Sequence, residues 1–125
     1  MAESVLRFLD WIEAAAAYQR VTQLADKDIS AHENLATAYR NAGQTLKAIA
    51  SYESALKLDP SSTRIHNNLA SAYAAAGDLM SALRMTRAAV EIDPADDRTI
   101  SNLVKLKAAV NAFKIDRLGA SAESP

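Results

Sequence analysis

Asparagine recurs at Asn34, Asn68 and Asn102, each 34 residues from the last. A carboxamide offers an acceptor oxygen and two donor hydrogens. An evenly spaced series of them can therefore hold the backbone of an extended peptide without reading its side chains. The same stretch carries Arg40, Arg64, Arg98 and Lys105, and guanidinium forks match carboxylates. Groups suited to catalysis are scarce. The chain has no cysteine and only two histidines, His32 and His66. There is no Gly-rich phosphate loop and no carboxylate pair in a pattern that would build a cleft. His32 and His66 also stand 34 apart without further ligands clustered beside them, so helix packing rather than metal binding is expected of both. The residues point to binding, with no catalytic group, no cofactor and no metal.

Residues that recur this regularly need elements that recur with them. Shifting the chain by 34 positions superposes Asn34-Leu35-Ala36 on Asn68-Leu69-Ala70 and Ala38-Tyr39 on Ala72-Tyr73. It also brings Ala42-Gly43 onto Ala76-Gly77, Ala48 onto Ala82, Ala55 onto Ala89, and Leu58-Asp59-Pro60 onto Ile92-Asp93-Pro94. Within the period, Leu35, Ala38 and Tyr39 have helical spacing, as do Ala48, Ile49, Tyr52, Ala55 and Leu56. Gly43 and Gly77 suit the left-handed cap of a first helix. Pro60 and Pro94 end a second, and Ser61-Ser62 and Asp96-Asp97 can cap the next.

These positions resemble the tetratricopeptide repeat (TPR) family, with its 34-residue helix–turn–helix unit and Leu–Gly–Tyr–Ala–Phe–Pro pattern. The resemblance covers roughly residues 11–115, with Ala36 and Ala70 at the usual Gly position and Thr86 where Tyr52 sets an aromatic. It implies an all-α fold, an α-solenoid with two full repeats at 29–62 and 63–96. Residues 1–28 form an N-terminal helix, a partial repeat read as one helix over about 3–26. A C-terminal capping helix occupies 97–118 and a disordered tail 119–125. The capping helix is expected to turn Leu103, Leu106, Val110 and Phe113 inward and to keep a polar outer face.

In that family the first helix of each unit lines a concave groove. The resemblance therefore places Asn34, Thr37 and Arg40, then Arg64, Asn67, Asn68 and Ser71, then Arg98, Asn102 and Lys105 along a peptide-binding groove. The Asn series is similar to the asparagine ladder in the TPR domain of O-linked N-acetylglucosamine transferase, whose catalytic domain has no counterpart here. A co-chaperone carboxylate clamp is not intact: Asn68 and Arg98 fit it, but Glu33, Thr37 and Asn102 do not. The implied partner is another protein, bound through an extended peptide that is acidic or carboxylate-bearing, and the implied role is that of an adaptor or scaffold.

Composition narrows the alternatives. A net charge of −1 offers no field for nucleic acid or an anionic membrane. The N-terminal stretch is apolar but interrupted by Glu3, Arg7, Asp10 and Glu13, which suits neither a signal peptide nor a membrane span. A cytoplasmic protein is the default expectation. The helix from Val5 to Tyr18 is apolar almost all round, the pattern of a buried helix. With one neighbour to cover it, a spare face could make the chain a homo-oligomerising scaffold.

Overall fold

The computed structural model describes the backbone of residues 2–123 and the side chains of residues 5–116. Six α-helices follow one another: α1 (Ala2–Leu24), α2 (Ile29–Asn41), α3 (Thr45–Leu58), α4 (Thr63–Ala75), α5 (Leu79–Ile92) and α6 (Asp97–Glu123). No strand occurs among the described residues. Each helix packs on the one before and the one after it, so the chain is a stack of helix pairs.

Local chemistry sets each boundary. Asp28 and Ser62 adopt extended backbone and accept from the amides of Ala31 and Ile65, which starts α2 and α4. The Asp78 side chain likewise accepts from the Ser81 amide at the start of α5. Hydrogen bonding to Ser81 holds the Asp78 carboxyl below the usual carboxylate range. At the other end of α2, Gly43 has φ +76°, and the Gln44 amide donates to the Tyr39 carbonyl at 2.8 Å. Gly77 repeats this at φ +83°, with the Asp78 amide donating to the Tyr73 carbonyl at 2.9 Å. These are Schellman caps, and a residue with a Cβ is strained in that conformation.

Small residues let the helices approach. Ala36, Ala48, Ala55, Ala72, Ala82 and Ala89 are completely buried or nearly so, and Tyr52, Ile65 and Leu69 fill the space between them. Burying Ile65 or Leu69 contributes about 1.5–3 kcal/mol each.

The ends differ from the sequence expectation. Among its described side chains, α1 buries only Ala15 and Thr22, while Val5, Leu6, Phe8, Leu9 and Val21 are exposed. A helix apolar all round is covered only where a neighbour touches it, and α2 is the neighbour that packs on α1. α6 turns Val110 inward, half-buries Leu103 and Leu106 and exposes Lys105, Lys107, Asn111 and Lys114, but Ile100, Val104 and Ile115 are exposed beside these polar residues. Phe113, expected inside, is 59% exposed. α6 also passes through Gly119 to Glu123. A glycine in a helix costs only about 1 kcal/mol, and no proline follows until residue 125. The rest of the expected tail, residues 124–125, lies outside the described residues.

Candidate functional site

The helix pairs present two faces, one displaying the first helices α2, α4 and α6, the other the second helices α1, α3 and α5. On the first-helix face a cleft of about 210 Å³ opens between α4 and α6. Asn67, Ser71, Asn102 and Lys105 line its walls, and Thr86 of α5 lies beneath. Its position follows from one substitution inside the period. Tyr52 is 2% exposed and fills the corresponding space one repeat earlier, whereas Thr86 stands 34 residues on. The shorter side chain is itself buried and donates to the Ala82 carbonyl at 2.9 Å, which leaves room above it.

The polar wall of this cleft is fixed by a chain of hydrogen bonds. The Asp96 carboxylate can only accept, so the Thr99 hydroxyl donates to it at 3.0 Å. The Thr99 oxygen is then left to accept from Asn67 Nδ2, also at 3.0 Å. That order fixes the carboxamide orientation and turns Asn67 Oδ1 away from Thr99. Oδ1 is buried and accepts no hydrogen bond among the described residues. Buried acceptors are ordinarily paired, and leaving one unpaired costs about 1–3 kcal/mol. Asn67 is thus an acceptor in want of a donor.

The other sequence-selected residues divide into engaged and unengaged groups. Arg64 is engaged: its Nε and Nη2 donate to the two Glu33 carboxylate oxygens at 3.1 Å each, tying α4 to α2. The pair is bidentate, but Arg64 is 69% exposed, so solvent screens it and its stabilising contribution is small. The Thr37 hydroxyl donates to the Glu33 carbonyl of its own helix. Among the described residues, the side chains of Asn34, Asn68 and Asn102 and the cationic heads of Arg40, Arg98 and Lys105 have no partner. Asn67, Ser71, Asn102 and Lys105 meet in the one cleft; Asn34, Thr37 and Arg40 lie on α2, one helix pair away. Sequence reasoning missed the part played by Asp96, Thr99 and Thr86. The replacement of an aromatic by Thr86 was the available signal.

Both histidines serve the backbone. His66 is buried and donates from Nδ1 to the Ser62 carbonyl at 2.7 Å, while His32 Nε2 donates to the Asp26 carbonyl at 2.7 Å. Among the described residues no helix is long and apolar enough to cross a membrane. On the opposite face, a depression of about 430 Å³ lies between α1 and α3 over α2 and holds none of the selected residues.

Stacked antiparallel helix pairs, glycine-capped first helices and a cleft between successive first helices define an α-solenoid of the helix–turn–helix kind. Residues 37–77 match the family described as TPR repeat, and residues 63–96 match the tetratricopeptide repeat. Residues 37–96 thus carry tetratricopeptide repeats, and the six helices have the fold of such repeats. No curated relative matches it. Among solved structures, it is similar to the first TPR of Spaghetti (RPAP3) bound to the HSP90 peptide SRMEEVD, at 20% identity over 88% of this chain and 89% of that one, with a TM-score of 0.73. It is also similar to the second TPR domain of human RPAP3 in complex with the HSP70 peptide SGPTIEEVD: 18% identity, 85% and 97% covered, TM-score 0.70. The Yersinia enterocolitica type III secretion chaperone SycD, in complex with a peptide of the translocator YopD, matches at 18% identity, 93% and 90% covered, TM-score 0.68.

Proposed function

We propose that the chain is a protein-interaction module, acting as an adaptor in the cytoplasmic setting expected from its composition. It binds an extended acidic peptide along the face of α2, α4 and α6 and carries no catalytic role. The observation that carries this reading is the cleft over Thr86, lined by Asn67, Asn102 and Lys105, in which Asn67 has a buried Oδ1 with no donor among the described residues. A backbone amide of the peptide would satisfy Asn67, and the carboxamides of Asn68 and Asn102, unpaired among the described residues, would take further peptide groups. Arg98 and Lys105 supply the preference for carboxylates, because they lack partners among the described residues. Arg64 contributes less, being occupied by Glu33.

The fold neighbours support the peptide class: two are described with acidic HSP peptides and one with a translocator peptide. The incomplete clamp residues argue for recognition of side-chain carboxylates over a fixed C-terminal one. Fluorescence anisotropy with an array of acidic peptides, SRMEEVD among them, and their charge-neutralised counterparts tests this. Acidic peptides should bind in preference, and Lys105→Ala should weaken them about tenfold, equivalent to ~1.4 kcal/mol. Equal binding of the neutralised set, or an unchanged affinity in the variant, would defeat the reading.

A further inference from the structure

The two terminal helices expose faces that the repeat covers everywhere else. In the units, Ala36 and Ala70 of the first helices are 0% and 5% exposed, and Ala36 lies in one core cluster with Ala48, Ile49 and Tyr52 of the second helix of its unit. The residue 34 positions after Ala70 is Val104 of α6, and it is 62% exposed. His66 is 7% exposed, and its counterpart Ile100 is 37% exposed. α6 therefore shows, uncovered, the side on which a first helix receives its second helix.

α1 shows the reciprocal side. Ala48, Ser51 and Ala55 of α3 are buried, Ala48 in one cluster with Ala36 of the first helix of its unit. Their counterparts 34 residues earlier are Ala14, half-buried, Ala17, exposed, and Val21, 42% exposed. From Trp11 to Leu24, α1 is a second helix whose side toward a first helix is open. Each end thus displays what the other end lacks.

Charge agrees with this pairing. Inside the first unit, the Lys47 ammonium sits 5.7 Å from the centre of the Tyr39 ring, so these two positions are neighbours across a helix pair. Tyr39 becomes Tyr73 one period on and Lys107 of α6 two periods on, and Lys47 becomes Glu13 of α1 one period back. Both residues are exposed and neither has a partner among the described residues. In a composite unit built from two copies they would oppose each other as cation and anion, with Val104 against Ala14 behind them.

We propose that the chain associates with itself head to tail, α1 of one copy packing on α6 of the next to complete a helix–turn–helix unit. The interface joins two different surfaces, so it propagates into an open filament instead of closing as a dimer. Its residues Val104 and Lys107 of α6 are not among those that line the peptide cleft, so it stands or falls separately from the peptide reading.

Sedimentation velocity of the 125-residue chain across a wide concentration range tests it. The expected result is a mass that grows past the dimer as concentration rises. Lys107→Glu alone and Glu13→Lys alone should each lose the heavier species, since like charges then face each other at every junction. Mixing the two variants should restore them, because every junction in the mixture again pairs opposite charges. Val104→Glu should lose them without rescue by either variant. A monomer at all concentrations, growth that stops at a dimer, or charge variants that behave like the wild type would each overturn the proposal.

Discussion

At the scale of single residues, the periodic positions were legible and the contacts between them were not. Asn34, Asn68 and Asn102 announce themselves by spacing alone, since one helical position repeated in one register must occupy equivalent places in the stack. The relay from Asp96 through Thr99 to Asn67 joins residues 32 apart across two helices, and no spacing rule encodes it. The Glu33–Arg64 pair is hidden for the same reason, and it alters the reading of the groove by occupying one of the expected arginines. Another cross-helix bond yields a pH prediction. The Tyr73 hydroxyl donates to Glu53 Oε1 at 2.5 Å. This hydrogen bond, and then burial, push the Tyr73 hydroxyl up to about 12 from its ordinary 10.0. A raised folded-state value means that the bond's stabilisation is complete below the ordinary tyrosine range and is lost as pH rises through about 12. Spectrophotometric titration should show one tyrosine ionising late, and Tyr73→Phe should remove that step. Glu53→Gln should move it back toward the ordinary value.

At the scale of helices, boundaries were readable wherever one residue type is needed for a backbone shape. Gly43 and Gly77 mark the ends of α2 and α4 because only glycine takes positive φ without strain. Gly119 has the same composition signal but a different outcome, since a lone glycine without a following proline does not compel a stop. The reach of α6 depends on the balance of helix propensity against tertiary contact, which the sequence pattern does not resolve. The cap geometry predicts an energetic cost free of steric complication. A Cβ at Gly77 would meet nothing within 4 Å, so Gly77→Ala pays only for the left-handed backbone, about 1–2 kcal/mol. Urea denaturation should show a lowered midpoint with an unchanged slope. A midpoint equal to that of the wild type would contradict the assigned cap.

At the scale of the whole molecule, period and architecture follow from one another. A unit of two helices cannot bury its apolar side alone, so repetition is the means by which the core forms. The amphipathic pattern also explains why α1 was expected to be buried and is not: apolarity states what a helix could bury, not what lies beside it. The functional claim rests on a departure from the period, Thr86 in place of an aromatic, which converts a filled inter-helix space into a cleft walled by Asn67, Asn102 and Lys105. Thr86→Tyr restores the side chain that Tyr52 already supplies one repeat earlier, and it tests that claim most directly. Isothermal titration of the variant with the acidic peptide that binds the wild type should show binding lost, with thermal stability equal or higher. Unchanged peptide affinity in a folded Thr86→Tyr protein would place the ligand elsewhere and contradict the account.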